Sequence, residues 1–157
     1  MKKANYTSET VRTITVKDAG MTERYVMKSI DDTNRFAKKL VKELQGGDVL
    51  ALSGNLGSGK TTFSQFLAKA LGIKDQITSP TFVLMKIYVL PSPINSITQL
   101  CHIDAYRMGS SVELETIGGH EYIEAPDTLT VIEWPERVQG LIPQNAIWIS
   151  FALDDTV

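Results

Sequence analysis

Val49-Leu50-Ala51-Leu52-Ser53-Gly54-Asn55-Leu56-Gly57-Ser58-Gly59-Lys60-Thr61-Thr62-Phe63 decides the fold of this chain. Its first five residues form a nearly continuous apolar run, as expected of a short strand covered on both faces in a parallel sheet. Gly54 to Thr61 then satisfies the pattern G-x-x-x-x-G-K-[ST] without a mismatch. By average residue usage such a match arises by chance in about one per cent of chains this long. After it, Phe63, Phe66, Leu67, Ala70 and Leu71 fall at helical spacing, and Gly72 ends the helix. Strand, glycine loop and helix in that order are the context the pattern requires. The expectation is an α/β fold: a three-layer P-loop NTPase-like domain with a mostly parallel central sheet and flanking helices.

Each loop residue has a physical reason to be there. Gly54, Gly57 and Gly59 let the backbone turn tightly and bring its N–H groups against phosphate oxygens, with the helix N-terminus adding positive potential. Asn55, Leu56, Gly57, Ser58 and Gly59 would therefore act mainly through backbone. Lys60 supplies a point charge for the β- and γ-phosphates, the Thr61 hydroxyl is placed to ligate Mg2+, and Thr62 is placed to donate to the α-phosphate. The implied ligand is a nucleoside triphosphate with magnesium.

Magnesium in such sites needs a carboxylate at a neighbouring strand end, and two apolar runs finish on one. Asp104 follows Leu100-Cys101-His102-Ile103, and Glu133 follows Leu129-Thr130-Val131-Ile132. Because Asp is shorter and suits tight metal geometry, Asp104 is assigned to magnesium and Glu133 to positioning or deprotonating the attacking water. The reverse assignment stays open. Ser79-Pro80-Thr81-Phe82 lies where P-loop hydrolases often keep a γ-phosphate-sensing segment, which makes Thr81 a candidate against the simpler reading of a proline turn. His102 and His120 have no cysteine or acidic partners at metal spacing, so core or surface roles are expected of them. Trp134, Arg107 and Arg137 follow the carboxylates and could stack on a base or reach phosphate, with packing and surface ion pairs as the alternative.

Further out, Val11 to Lys17 and Arg24 to Lys28 read as strands around an Asp18-Ala19-Gly20 turn. The first 20 or so residues are an edge hairpin or a partly ordered extension. Phe36, Ala37, Leu40, Val41 and Leu44 mark an amphipathic helix over about Asp31 to Gln45, with Ser29 to Asp32 offering caps. Thr81 to Leu90 reads as a strand broken by Pro91-Ser92-Pro93, Gln99 to Asp104 and Leu129 to Glu133 as two more, and Asn145 to Leu153 as the last. With no linker or repeat in view, residues 1–157 are expected to form a single P-loop domain.

Composition sets the outer bounds. At 157 residues with 43% hydrophobic side chains, the chain can bury roughly two-thirds of its unfolded surface around one core. A formal charge of -2 gives no global field for a nucleic-acid backbone or an anionic membrane, so any nucleic acid would be held by a partner. The single cysteine, Cys101, cannot form an internal disulfide and reads as a buried thiol. No signal-peptide core or membrane-length apolar run is visible, which fits a cytoplasmic protein.

Five segments in order resemble the bacterial tRNA threonylcarbamoyladenosine biosynthesis family TsaE, formerly YjeE. They are Gly47-Asp48-Val49, Ser53 to Phe63, Ser79-Pro80-Thr81-Phe82, His102-Ile103-Asp104-Ala105-Tyr106-Arg107, and Ile132-Glu133-Trp134-Pro135-Glu136-Arg137. The resemblance runs from about Ser29 to Leu153. It implies a small Mg2+-dependent ATPase working with TsaB and TsaD in attaching threonylcarbamoyl to the adenosine beside the tRNA anticodon. In that scheme the transfer belongs to TsaD, and tRNA is met only through partners. It also implies Thr81 in a switch-like segment, Asp104 near magnesium and Glu133 near the γ-phosphate. Asn55 departs from the family pattern, which often has an acidic residue there, and the Pro91 to Gln99 connection is longer than usual. A small P-loop kinase lacks an arginine-rich lid here, and a GTPase lacks Asn-Lys-x-Asp. A nucleotide-gated binding module with negligible turnover remains the rival from another class.

Overall fold

The computed structural model describes residues 10–78 and 83–155. Along the chain these form β1 (Thr10–Asp18), β2 (Met21–Met27), α1 (Ile30–Val41), β3 (Val49–Gly54), α2 (Lys60–Ala70), β4 (Met85–Ile94) and β5 (Ile97–Asp104). Then follow α3 (Ser111–Thr116), α4 (Gly119–Ile123), β6 (Thr128–Glu133), a 3-10 segment (Pro135–Leu141) and β7 (Ile147–Asp155). The seven strands form one sheet in the order β2-β1-β7-β3-β6-β5-β4. Its centre, β7-β3-β6-β5, is parallel. The β1–β2 hairpin and β4 add antiparallel wings.

Alternation along the central strands divides the core in two. Leu50, Leu52, Leu129, Val131 and Leu100 pack with Phe36, Leu40, Phe63 and Leu67 of α1 and α2. Val49, Ile132, Cys101 and Ile103 pack instead with Leu114, Ile123 and Val138 of α3, α4 and the 3-10 segment. Helices therefore cover both faces, the three-layer arrangement expected of an apolar parallel sheet. Tyr25, Phe36, Phe63 and Phe151 form an aromatic chain with centroid spacings of 4.9, 5.6 and 5.6 Å, tying the hairpin, α1, α2 and β7 together. Truncating the fully buried Phe63 to Ala would cost about 3–5 kcal/mol in transfer and cavity energy.

Local chemistry explains most boundaries. Ser29 begins α1 with a capping box: its side chain accepts from the Asp32 N–H, and the Asp32 carboxylate accepts from the Ser29 N–H. The helix ends at Val41 rather than Gln45, because turns take over while Leu44 stays buried and its carbonyl accepts from the Asn95 side chain at 3.0 Å. The prolines do not break β4 as expected. The strand runs through Pro91-Ser92-Pro93 to Ile94 with a register shift between Val89 and Ile94. It lies at the sheet edge, where missing N–H donors leave no ladder bond unmade. Asn95 and Ser96, both at positive φ, then close a tight hairpin into β5.

The topology places the glycine loop. β3, β5 and β6 are parallel neighbours, with Leu52 opposite Glu133 and Asp104 opposite Glu133. Three carboxyl-terminal strand ends thus share one sheet edge, where open α/β sheets bind ligands. Among the described residues, no helix is long and apolar enough to cross a membrane.

Candidate functional site

A cavity of about 560 Å³ lies at that edge, lined by Asn55, Leu56, Gly57, Ser58, Gly59, Lys60, Thr61 and Thr62 together with Asp104, Tyr106, Arg107, Glu133 and Trp134. The loop leaves β3 at Gly54, whose φ of 142° is open only to glycine. A Cβ there would sit 2.6 Å from the Phe151 carbonyl and 2.7 Å from Ser58 Oγ. Gly59, at φ 110°, turns the chain into α2, and among the described residues no side chain caps that helix. The uncapped first turn leaves N–H groups for an anion.

Lys60 is 5% exposed. Its ammonium donates to the Gly54 carbonyl, lies 3.4 Å from the Asn55 carbonyl, and sits 4.0 Å from the centre of the Trp134 ring. Burial pushes its pKa below the ordinary lysine value, while Glu133, Glu136 and Asp104 pull the other way.

Glu133 closes the far wall. The Thr61 hydroxyl donates to its Oε1 at 3.0 Å, and Oε2 lies 2.6 Å from His102 Nε2. Residue burial is nearly complete for both, 1% exposed for His102 and 3% for Glu133. His102 Nδ1 is buried and has no hydrogen-bond partner among the described residues. We assign the proton to Nε2, because Nε2–H then meets a carboxylate and only a lone pair is left unpaired. Asp104 stands beside Glu133 in register, half-buried, with Oδ1 accepting from the Tyr106 N–H at 3.0 Å.

The aromatic rim is built from the residues after the two carboxylates. Trp134 adopts φ 60°, an uncommon conformation for a bulky side chain. Its ring lies 4.9 Å from Tyr106, and the Arg137 guanidinium stands 5.8 Å from that tyrosine. Arg107 reaches the cavity wall. The cavity thus gathers Asn55 to Thr62, Asp104 and Glu133, and Thr81 lies outside the described residues. His120 is exposed, as expected of a surface histidine. His102 takes the expected core role, and beyond that expectation it holds an acid. That partnership depends on the β5–β6 register, which local spacing does not carry. Its one visible sign is alternation, since His102 and Asp104 stand two residues apart on β5.

The donor set suits a hard cation, with a threonine hydroxyl and two carboxylates at the cavity wall. No group of three or more His, Cys, Asp or Glu that could hold a metal occurs among the described residues. The hydroxyl of Thr61 and the carboxylates of Asp104 and Glu133 are the kind of oxygen donors that magnesium takes one or two of, completing its shell with phosphates and water.

A family model described as "Threonylcarbamoyl adenosine biosynthesis protein TsaE" matches residues 27–156. The tRNA threonylcarbamoyladenosine biosynthesis protein TsaE of Treponema pallidum is 38% identical over 127 residues, covering 81% of this chain and 89% of the relative. The protein of the same name from Bacillus subtilis is 37% identical over 122 residues, covering 76% and 70%. The crystal structure of Bacillus subtilis YdiB superposes with a TM-score of 0.58 at 27% identity, covering 88% of this chain and 75% of that one. The five ordered segments, the sheet with its glycine loop and these matches agree, and the chain belongs to the TsaE family.

Proposed function

We propose that this protein is the ATP-hydrolysing component of tRNA threonylcarbamoyladenosine biosynthesis, a cytoplasmic Mg2+-dependent ATPase acting with TsaB and TsaD and meeting tRNA only through them. The observation that carries the reading is the meeting of loop and strand end: Lys60 and Thr61 share a cavity with Glu133, and Thr61 touches it. The names of the relatives support the pathway.

On this reading the backbone of Asn55 to Gly59 cradles the phosphates. Lys60 leaves the Gly54 carbonyl for the β- and γ-phosphates, and Thr62 donates to the α-phosphate. Thr61 and Asp104 would hold magnesium, which when bound neutralises charge on the phosphate oxygens. Glu133 orients or deprotonates the attacking water, its carboxylate held at the cavity wall. Thr81 contacts the γ-phosphate from the segment before β4. The 3.0 Å contact between Thr61 and Glu133 supports a second arrangement, in which Glu133 serves the metal side and Asp104 the water.

Phosphate release, measured with and without TsaB and TsaD, tests the proposal. Turnover without any acceptor, lost in Lys60→Ala, is the expected result. Dependence on an acceptor would favour a kinase, and ATP binding without turnover under either condition would leave a nucleotide-gated module.

A further inference from the structure

We infer that His102 is a positioning residue for the reaction: it grips one oxygen of Glu133 from the core side and so aims the other at the nucleotide cavity. The inference rests on the ATPase reading above and deepens it.

Among the described residues, each carboxylate oxygen of Glu133 has one hydrogen-bond partner. Oε2 meets His102 Nε2 at 2.6 Å, and Oε1 meets Thr61 at 3.0 Å. The two contacts differ in permanence. His102 is fixed in the middle of β5, between parallel β6 and antiparallel β4, and is 1% exposed. Thr61 lies on the phosphate loop's helix and lines the cavity, so its hydroxyl is the contact that ligand chemistry would redirect. When that happens Oε1 is released toward the cavity while Oε2 stays held. Removing His102 would instead let the carboxylate rotate.

The orphaned nitrogen argues that this grip is why an imidazole stands there. A polar side chain kept in a core for stability alone is ordinarily satisfied at each polar atom. His102 has Nδ1 buried and unpartnered among the described residues, in a strand whose neighbours Leu100 and Ile103 are apolar and fully buried. Leucine would fill comparable space without an orphan. What leucine cannot supply is the N–H toward Glu133. Of the side chains that can, glutamine carries its Nε2 as many bonds from Cα as histidine does, which makes it the conservative replacement.

Three full-length variants test this: His102→Leu, His102→Gln and Glu133→Ala, with the His102→Leu/Glu133→Ala double variant. In the presence of TsaB and TsaD, His102→Leu is expected to lower kcat about tenfold or more, the usual size for losing a partner that orients a site residue, with KM for ATP little changed. His102→Gln restores most of that loss. In the Glu133→Ala background the leucine replacement changes nothing further, within about twofold, because the two residues act as a unit. A wild-type kcat in His102→Leu, or an equal loss in both backgrounds, overturns the inference. A second readout needs no turnover. The chain has two histidines, so 15N-edited imidazole spectra are assignable with His102→Gln alone. The His102 Nε2–H resonance is expected downfield and slow to exchange in the wild type, and to move or vanish in Glu133→Ala; a resonance indifferent to Glu133 overturns the inference. Should His102→Leu not fold, His102→Gln and the spectra still decide. If the wild type never releases phosphate, the ATPase reading fails by itself. The Mg2+-dependent gain in ADP affinity then replaces kcat as the functional readout, and the spectra remain valid.

Discussion

The Thr61 hydroxyl donates to Oε1 of Glu133 across 3.0 Å although 72 positions separate them in sequence. One belongs to the phosphate loop and the other to the end of a neighbouring strand. Parallel pairing of β3 with β6 makes the contact possible by setting Leu52 opposite Glu133.

That contact separates the two carboxylates by experiment. If Glu133 serves the water, Glu133→Gln should lower kcat by about 10²–10⁴-fold with little change in Mg2+ requirement. Asp104→Ala should then raise the Mg2+ needed for half-maximal turnover by about 10–100-fold. Magnesium titrations of turnover for both variants decide, and exchanged phenotypes would establish the reverse assignment.

Lys60 gives a pH signature. Burial holds its pKa below the ordinary 10.5, against the pull of Glu133, Glu136 and Asp104. The folded site therefore releases this proton before the unfolded chain does. The destabilisation from burying the cation is fully present below the folded value and fades as pH rises from there toward 10.5. ADP affinity moves the opposite way, falling at lower pH than an exposed lysine would allow. Calorimetric titrations from neutral to alkaline pH should show that fall in the wild type, and Lys60→Met should bind weakly throughout.

Cys101 is fully buried, and burial raises its thiol pKa from 9.0 to about 12. The native protein should not react with a thiol reagent at mildly alkaline pH, whereas the denatured chain should react fully. Above 9.0 the unfolded thiol ionises while the folded one does not, so Cys101's contribution to stability should decline between 9.0 and about 12. Denaturant melts of wild type and Cys101→Ala across that range check the sign.

Gly54→Ala should damage both site and fold. The new Cβ would meet the Phe151 carbonyl at 2.6 Å in a backbone conformation alanine rarely adopts. A loss of about 1–3 kcal/mol is expected from the strain, together with weaker ADP binding, read by thermal denaturation and calorimetry.

Ser29→Ala is the counterpart far from the cavity. It removes the hydroxyl that accepts from Asp32 in the α1 capping box and should cost about 1 kcal/mol while leaving ADP affinity unchanged. Denaturant midpoints and the same calorimetry test both halves.

What could be read from the sequence was what local pattern encodes. The run Val49 to Ser53, the glycines after it and the helical spacing from Phe63 to Leu71 each announce their own conformation. The apolar runs before Asp104 and Glu133 also announced strands ending on acids, and the sheet brings both to the loop. The prolines of β4 misled because proline is excluded from a strand only where its N–H would be needed, and an outer edge asks for none there. The core role of His102 is legible, but its acid partner is not, because strand register sets it. Nothing within a few residues of position 102 predicts an acid from position 133.

The strand order also has a temporal side. β3 carries the phosphate loop, yet both strands that flank it, β6 and β7, begin at Thr128 or later. A chain emerging from the ribosome has made Gly54 to Thr61 long before either neighbour exists. Until β6 and then β7 are made, β3 has no strand to pair with, and β1 has only its hairpin partner β2. The wall that Glu133 and Trp134 give the cavity is thereby made only late in synthesis, well after the glycine loop it faces.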